Sequence, residues 1–430
     1  MKKPPPPVRP EDEAVPGIRL EGLPGTSLSS HNSRVIAPNV ALELGLAPAP
    51  RVKLLARKLG FDPVGITSAQ PFSETEAVLV DRIRQGLMDG LPWFHESRVR
   101  RGCNPDAMLS GARSIISLAL SYDTPEPATP DGDNELRGHV SRYAWGPDYH
   151  KVMERRVKTL VQGLQEMGGS ARFYVDYGPV PDRAVAARAG VGWHGKNSNV
   201  LTTRYGSWVF LADIITDLDL APDRPLKKSC GGCSACIPSC PTGAIVAPYV
   251  IDNTRCISYQ TIENKGPIPR ELRPLMGDWV FGCDICQDVC PVNHHAKTPG
   301  DSAFAATWIE QSRPDLQALL GLNEEDFGTR FRGSPVRRAG WAGLLRNACV
   351  ALGNSGSRAA IPALSKALAH PAALVRGHAA WALGRLGGAS ALDALDQALL
   401  DEREPSVLEE IILAMAASGI PSLRGPAKQP

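Results

Sequence analysis

Hydrophobic and polar residues follow a block pattern along the chain, and the pattern changes twice after residue 50. Apolar residues at helical spacing in RVKLLARKLG predict a helix that ends near Gly60, and FDPVGIT then predicts a strand. Strand-like runs recur in RSIISLALSY, ARFYVDY and YGSWVFLADII, with helical stretches such as YHKVMERRVKTLVQGLQEM between them. This alternation predicts an α/β domain over residues 51–222.

The flanking segments have different compositions. Residues 1–50 are rich in Pro, Gly and Ser and cannot bury enough apolar surface to offset their ordering entropy, so they are predicted to be a disordered extension. Residues 223–300 contain many cysteines and too little apolar material for a core, so we expect this segment to fold around metals. Residues 301–422 become Ala- and Leu-rich and are predicted to be helical.

The helical part contains an internal repeat. NACVALGNSG at residues 347–356 aligns with HAAWALGRLG at residues 378–387, and AIPAL aligns with ALDAL at the same offset of 31 residues. A period of this length built from two short helices is typical of an α-solenoid, here HEAT-like. A generic bundle of helical hairpins is the alternative.

Composition and charge place few limits on function. The 430 residues carry a net charge of +2 and are 43% hydrophobic, which is ordinary for a soluble globular protein. We find no apolar stretch long enough to span a bilayer and no secretory signal, and therefore expect a cytoplasmic protein. Cytoplasmic thiols stay reduced, which favours metal binding over disulfides.

Eight of the ten cysteines lie between residues 230 and 290. CGGCSACIPSCP, from Cys230, has the spacing C-x2-C-x2-C-x3-C-P of two-cluster ferredoxins, in which the fourth cysteine ligates the other cluster. The second run is split, with Cys256 far from CDICQDVCP. The spacing predicts a ferredoxin-like module with two 4Fe–4S clusters, although two zinc sites could also use eight thiolates. The crossover rule assigns one cluster to Cys230, Cys233, Cys236 and Cys290, and the other to Cys240, Cys256, Cys283 and Cys286.

A glycine motif suggests a dinucleotide-binding site, but the elements predicted on either side of it exclude one. GVGWHG, residues 190–195, matches G-x-G-x-x-G, but a dinucleotide site needs a strand before the motif and a helix after it. Here the preceding residues look helical and the following residues look extended. The run and the KNSN that follows it instead suit a tight loop that presents polar groups to a ligand.

Several stretches in register resemble one family. The chain is similar to epoxyqueuosine reductases over residues 51–415. The similarity is carried by the cysteine pattern and by the stretches VDYGPVPDRAVAARAGVGWHGKNSNVLTTRYGSWVFLADIITDLDL, SRYAWGPDYHKVM and RGSPVRRAGWAGLLRNACVALGN. The resemblance implies a nitroreductase-like α/β domain that binds cobalamin, two 4Fe–4S clusters and a HEAT-like part that holds tRNA. It implies reduction of the epoxide of epoxyqueuosine at the tRNA wobble position to queuosine. Pro181, in GPVPDR, departs from the family pattern.

The resemblance also implies site residues. Asp176 matches the general acid, and Tyr149 and His150 match a motif at the substrate pocket. Alternatively, Asp176 forms a turn, His150 is structural and Lys196 is a surface charge. The candidate cobalamin contacts are Arg101, Ser141, Asp176, Trp193, Lys196, Asn197 and Ser198.

A basic run indicates where RNA binds. Nine Lys or Arg residues and no Asp or Glu lie between Arg330 and Arg385, which suits phosphates, although solvated helix faces also carry cations. The predicted RNA contacts are Arg332, Arg337, Arg338, Arg346 and Arg376. We expect a monomer whose partners are a tRNA with a GUN anticodon and an external electron donor. The rival hypotheses are a corrinoid reductase of the reductive dehalogenase type and a non-enzymatic ferredoxin-like electron carrier.

Overall fold

The structure, a computed structural model, describes residues 46–129, 136–298 and 300–417. Of the extension predicted over residues 1–50, residues 1–45 lie outside the described residues, and the first helix begins at Pro48. Within the described ranges, no helix combines the length and the apolar composition that a bilayer span requires.

Helices and strands alternate up to residue 216, and the chain is helical after residue 316. In chain order the helices are α1 (Pro48–Lys58), α2 (Ser73–Arg84), α3 (Glu96–Gly102), α4 (Tyr149–Glu166), α5 (Asp182–Arg188), α6 (Cys236–Ser239), α7 (Ile257–Ile262), α8 (Ile285–Asp288), α9 (Leu316–Leu320), α10 (Glu324–Arg330), α11 (Trp341–Asn354), α12 (Ile361–Ala367), α13 (Ala373–Leu386), α14 (Ala389–Asp401) and α15 (Pro405–Ala417). The strands are β1 (Val64–Ser68), β2 (Ser114–Ser121), β3 (His139–Val140), β4 (Ala171–Tyr174), β5 (Trp193–His194), β6 (Val200–Leu201), β7 (Val209–Thr216), β8 (Ile245–Ala247), β9 (Val250–Ile251) and β10 (Trp279–Phe281).

The α/β region is built on a four-stranded sheet with the order β1-β2-β7-β4 and antiparallel pairing throughout. β2 and β7 are its long central strands, and every residue of β2 is buried. Their Ile- and Leu-rich sequences suit strands that are covered on both faces. The alternation of elements predicts the α/β region, whereas strand direction depends on long-range pairing.

Helices cover both faces of the sheet. One face, which includes Ile116 and Ile214, packs against α1 and α4. α4 buries Met153, Val157 and Leu160 there, at the spacing of one helix face. The opposite face packs against α2, α3 and α5. The residues that precede α4 and α5 and those that follow β4 thereby come together at one end of the sheet.

Buried polar groups of α11 fasten the repeats to the cysteine segment. Arg346 is fully buried, and its guanidinium donates hydrogen bonds of 2.6–2.9 Å to backbone carbonyls within residues 260–266. Asn347 donates to the carbonyls of Thr261 and Val280. The sequence predicts Arg346 as an RNA contact, and the structure contradicts this. The side chain is not exposed, and its guanidinium already donates to backbone carbonyls.

The repeats pack closely through glycines related by the 31-residue period. A Cβ added at Gly353 in α11 would lie 2.9 Å from Ala382 in α13, and one added at Gly384 in α13 would lie 2.6 Å from Ala414 in α15. Each repeat therefore contacts the next through a helix crossing that only glycine allows. This is the nearest-neighbour packing of a solenoid.

We predict that Gly353→Ala lowers the free energy of unfolding by about 1–3 kcal/mol, because the added methyl group overpacks this crossing. Helix propensity alone would favour alanine by about 1 kcal/mol. The matched control is Gly343→Ala in the same helix, where the nearest atom lies 4.0 Å from the added Cβ. Urea unfolding followed by circular dichroism measures both variants, and equal stabilisation of both would contradict the close packing.

Candidate active site and cysteine sets

The loop after β4 presents Asp176 on a tight turn. The Asp176 backbone has a φ of 54°, and Tyr177 N donates to Val175 O across it at 2.6 Å. Such a turn is strained for residues other than glycine, and strain of this kind concentrates at functional sites. Gly178 follows with a φ of 92°, where a Cβ would collide with the Tyr174 ring. The turn leaves the Asp176 side chain exposed at the edge of the sheet.

The first residue of α4 contacts this carboxylate. Tyr149 Oη donates a hydrogen bond to Asp176 Oδ2. The Tyr149 ring stacks on Phe210, with a centroid distance of 4.2 Å, and on His150, with a centroid distance of 4.1 Å. Burial and then the charge of Asp176 raise the pKa of Tyr149, so the hydroxyl stays protonated and remains the donor.

His150 is oriented by Asp148, which caps α4. His150 Nδ1 lies 2.7 Å from Asp148 Oδ1, and His150 N donates to the same oxygen. Burial opposes ionisation of Asp148, but the hydrogen bonds from His150 hold its pKa below the ordinary value. Since an ionised carboxylate only accepts, His150 Nδ1 is the donor in this pair. The structure thus brings together the three predicted catalytic residues, with Tyr149 between His150 and Asp176.

Two further carboxyl groups near Asp176 are absent from the sequence-based prediction. Burial and then the charge of Asp176 raise the pKa of Asp182 to about 6. Asp213, in the middle of β7, is 1% exposed, and neither carboxyl oxygen has a hydrogen-bond partner. Ser117 faces Asp213 across the ladder but outside hydrogen-bond geometry. Burial and then the charge of Asp182 raise the pKa of Asp213 well above its ordinary value. An aspartate inside the apolar run VFLADII is the signal that could have identified it.

The loop between β5 and β6 holds both cysteine segments against the α/β region. Lys196 Nζ donates to the carbonyls of Gly231 and Cys233 at 2.9 and 2.8 Å, and Asn197 Nδ2 donates to the carbonyl of Cys286 at 3.1 Å. GVGWHG follows α5 and contains strand β5 of this hairpin, so a helix precedes the motif and a strand follows it, which agrees with the rejected dinucleotide site. Lys196 and Asn197 are predicted cobalamin contacts, yet the cysteine loops use their side-chain donors.

The other predicted cobalamin contacts have different surroundings. Trp193 Nε1 and Ser198 Oγ are buried polar atoms without a hydrogen-bond partner among the described residues. Ser141 is buried and already donates to Asp284 Oδ1 at 2.6 Å, whereas Arg101 is exposed at the end of α3. Unpaired buried polar groups cost free energy unless a ligand or water satisfies them. Trp193 and Ser198 therefore fit a bound ligand, and Ser141 fits a positioning role.

The first cysteine set combines three cysteines of the first run with the last cysteine of the second run. Burial raises the pKa of Cys236, and the neighbouring thiols of Cys230, Cys290 and Cys233 raise it further. Burial and then Cys230 and Cys233 also raise the pKa of Cys290. Mutual repulsion of this kind requires short distances between thiols, and iron ions would relieve it.

The second set comprises Cys240, Cys256, Cys283 and Cys286. Burial and then Cys256 raise the pKa of Cys286, with smaller contributions from Cys240 and from Cys236 of the first set. Burial and then Cys256 and Cys286 raise the pKa of Cys283. These shifts indicate that Cys256, Cys283 and Cys286 lie near one another and that Cys286 also lies near Cys236 and Cys240, and the division into two crossed sets stays a prediction.

A buried carboxylate links the second set to the α/β region. Asp284, between Cys283 and Cys286 in the chain, accepts hydrogen bonds from Ser141 Oγ at 2.6 Å and from Arg142 N at 2.7 Å. Asp284 is 4% exposed. These bonds, with the one from Asn197, fix the position of the second set relative to the sheet.

The predicted RNA-binding arginines have divided roles. Arg332, Arg337 and Arg338 are exposed before α11, and Arg338 forms an ion pair with Glu263 while its charge also interacts with Asp176. Arg376 instead forms a bidentate ion pair with Glu402 at 2.6 and 2.9 Å. Arg376 is paired but partly exposed, unlike Arg346, so its assignment as an RNA contact stays a prediction.

Comparisons with known proteins agree with this architecture. Family models described as epoxyqueuosine reductase QueG, 4Fe-4S double cluster binding domain and HEAT repeats match residues 102–177, 229–293 and 342–416. A curated Bacillus cereus relative named epoxyqueuosine reductase is 35% identical over 371 residues, which cover 83% of this chain and 93% of the relative. A Pseudomonas aeruginosa relative of the same name is 41% identical over 349 residues, which cover 79% and 94%. The chain belongs to the epoxyqueuosine reductase family.

Solved epoxyqueuosine reductases share the fold. One, described as bound to an epoxyqueuosine-modified tRNA-Tyr stem loop, has a TM-score of 0.81 and 31% identity, and the match covers 88% of this chain and 100% of that chain. A Streptococcus thermophilus epoxyqueuosine reductase has a TM-score of 0.79 and 30% identity over 89% of this chain. The predicted fold class is confirmed, and the double-cluster domain favours 4Fe–4S clusters over zinc.

We predict that Cys290→Ala and Cys236→Ala perturb the same cluster, because both thiols belong to the first set. Each variant should lose about four of eight irons and the same electron paramagnetic resonance signal, whereas Cys286→Ala should lose the other signal. Cys349→Ala, in the buried repeat core, is the control and should keep all the iron. A Cys290 variant that resembles the Cys286 variant would contradict the crossed sets.

We predict that Asp213→Asn changes the pH dependence of stability. Because the pKa of Asp213 is raised in the folded state, its contribution to the free energy of unfolding is fully present below about pH 4. That contribution falls by about 1.4 kcal/mol per pH unit as pH rises through the folded-state pKa. Asparagine does not ionise, so the variant does not lose this stability. Its melting temperature should rise relative to that of the parent as the pH is increased from 5 to 8. Asp219→Asn, at an exposed ion pair, is the control, and parallel profiles for Asp213→Asn and the parent would contradict the prediction.

Proposed function

We propose that this protein reduces the epoxide of epoxyqueuosine at the wobble position of tRNA to the alkene of queuosine. The observation that carries the proposal is the Asp176–Tyr149 contact in an α/β region whose separate β5–β6 hairpin holds residues of both cysteine runs. An acid and a supply of single electrons thereby occupy one region of the molecule. Neither rival hypothesis, the dehalogenase or the electron carrier, is favoured by a specific observation.

The reaction consumes two electrons and two protons. Both C–O bonds of the epoxide break, a C=C bond forms and the oxygen leaves as water. An alkoxide is a poor leaving group, so a proton donor must stand beside it. We assign this role to Asp176, and we assign Tyr149 to holding the Asp176 carboxyl in place. His150, with Nδ1 held by Asp148, keeps Nε2 available to the substrate oxygen.

Cobalamin is the proposed cofactor between the clusters and the substrate. When bound, it supplies electrons from a reduced cobalt centre. Trp193 and Ser198 fit a contact with it, because their buried polar atoms lack protein partners. Arg101 is exposed and remains a proposed contact. We assign the side chains of Lys196, Asn197 and Ser141 to positioning the cysteine loops.

We propose that the exposed arginines Arg332, Arg337 and Arg338 hold the phosphates of the anticodon arm. Splayed anticodon bases can be stacked and read individually, which allows the modified base to reach Asp176. The domain boundaries that we propose are 51–222 for the catalytic domain, 223–300 for the cluster domain and 301–422 for the tRNA-binding repeats. Reaction on tRNA, with an external electron donor, places the proposed activity in the cytoplasm.

The experiment that tests the function is mass analysis of nucleosides from tRNA after anaerobic incubation with protein loaded with iron, sulfide and cobalamin. The substrate is epoxyqueuosine-containing tRNA, and a strong chemical reductant supplies the electrons. The queuosine peak should grow as the epoxyqueuosine peak falls. An unchanged epoxyqueuosine peak with all cofactors loaded would overturn the proposal.

We predict that Asp176→Asn slows epoxyqueuosine reduction by about 100-fold or more, because an amide cannot donate the proton that a general acid supplies. Iron content and the melting temperature should stay unchanged, which separates a chemical defect from a folding defect. Asp219→Asn, at an exposed ion pair, is the matched control. Turnover of Asp176→Asn within a few-fold of the parent would remove Asp176 as the proton source.

A further inference from the structure

The loop that contains Cys233 has little side-chain cover. Cys233 is exposed, whereas the other seven clustered cysteines are half-buried. Gly231 and Gly232 precede it, and a Cβ added at either glycine would meet no atom within 4 Å among the described residues. A partner molecule can therefore approach the first cysteine set with only backbone between them.

The chain around this loop is strongly cationic. Arg224, Lys227 and Lys228 are exposed, and the sequence contains no Asp or Glu between Asp223 and Asp252. Lys228 lies two residues from Cys230, so its backbone is within about 7 Å of the first set. Lys228 Nζ also lies 5.4 Å from the centroid of the Trp193 ring, close in the chain to Lys196, so Lys227 and Lys228 border the glycine loop and Arg224 precedes them in the chain.

An exposed apolar pair completes the surface. Val246 is 52% exposed and Tyr249 is 37% exposed, both in the hairpin of β8 and β9. Tyr249 N donates to Lys196 O at 2.9 Å, and Lys196 Nζ in turn donates to the Gly231 carbonyl. The hairpin is therefore continuous with the glycine loop. We name these residues the donor face: Arg224, Lys227, Lys228, Gly231, Gly232, Cys233, Val246 and Tyr249.

We infer that the donor face docks an acidic one-electron carrier protein, which delivers electrons to the first cysteine set. A small apolar centre with a charged rim is the composition of a transient interface, and opposite charge speeds encounter more than it strengthens binding. Each encounter oxidises the carrier by one electron and reduces one cluster by one electron, so two encounters supply one turnover. The inference deepens the proposed function and rests on it for the use of these electrons.

The positions of the two sets indicate a direction for electron flow. The first set carries the exposed cysteine, whereas the loop of the second set is bonded to Ser141, Arg142 and Asn197 of the α/β region. Electrons would arrive at the first set and leave through the second. A cationic surface can also bind RNA, but the exposed arginines that we propose to hold tRNA, among them Arg338 near Asp176, belong to a different part of the fold. The carrier is therefore the occupant that we favour.

The test is anaerobic stopped-flow reduction of the cluster-loaded protein by a reduced acidic 2Fe–2S ferredoxin, without tRNA. In Lys227→Glu/Lys228→Glu we expect cluster reduction to slow at least tenfold at low salt, and the difference to shrink at high salt because ions screen the charges. Reduction by the small cation methyl viologen radical should not slow. Gly232→Tyr, which adds bulk in open space, should also slow reduction by ferredoxin.

The matched control is Arg57→Glu/Lys58→Glu, an exposed pair at the end of α1 with the same charge change. It should leave the ferredoxin rate unchanged. Equal rates for the parent and Lys227→Glu/Lys228→Glu would overturn the inference, as would equal slowing in the control. Weaker binding of a tRNA stem loop with an unchanged ferredoxin rate would show an RNA surface instead. Cluster reduction is read before any substrate is present, so failure of the docking site and failure of the epoxide reaction are distinguishable.

Discussion

The structure depends on one short polar loop that has to hold two cysteine segments at once. Lys196 fixes the carbonyls of Gly231 and Cys233, and Asn197 fixes the carbonyl of Cys286. The cysteine segment cannot build a core of its own, so its position relative to the sheet must come from such bonds and from metal. Loss of the Asn197 side chain would leave a partly buried carbonyl without a partner, which is costly, and loss of the Lys196 side chain would release the two exposed carbonyls that it holds. The hairpin of β5 and β6 thus connects the cysteine segment to the α/β region.

A second constraint is the crowding of acids at the end of the sheet. Asp176, Asp182 and Asp213 influence one another electrostatically, and the last is buried without a hydrogen-bond partner. Such an arrangement costs stability and favours protonated carboxyl groups, which suits a site that has to donate protons. Arg338 extends toward the same place from the sequence that leads into the repeats. The part of the chain that we propose to hold tRNA therefore reaches the acid group itself.

Much of the architecture could be predicted because it depends on local patterns. Hydrophobic periodicity predicts the α/β region, and the 31-residue period predicts the repeats, where Gly353 and Gly384 mark equivalent crossings. Charge along the sequence was a poorer guide. Arg346 and Arg376 belong to a run without acids, yet Arg346 is buried against backbone carbonyls and Arg376 pairs with Glu402 from outside that run. Local charge density carries no information on which cations fold inward.

The sequence by itself determined the elements, the repeat and the cysteine spacing, because periodicity and residue type set these properties within a few residues, whereas Asp176 as the acid came from the family resemblance and is a proposal. Tertiary structure alone decided the antiparallel order of the sheet, the contact of Tyr149 with Asp176 and the use of Ser141 by Asp284. It also decided that Asp213 lies buried beside other acids. These features depend on pairings between residues that are distant in the chain. Their free energy comes from burial and from satisfied polar groups, which no short stretch of sequence contains.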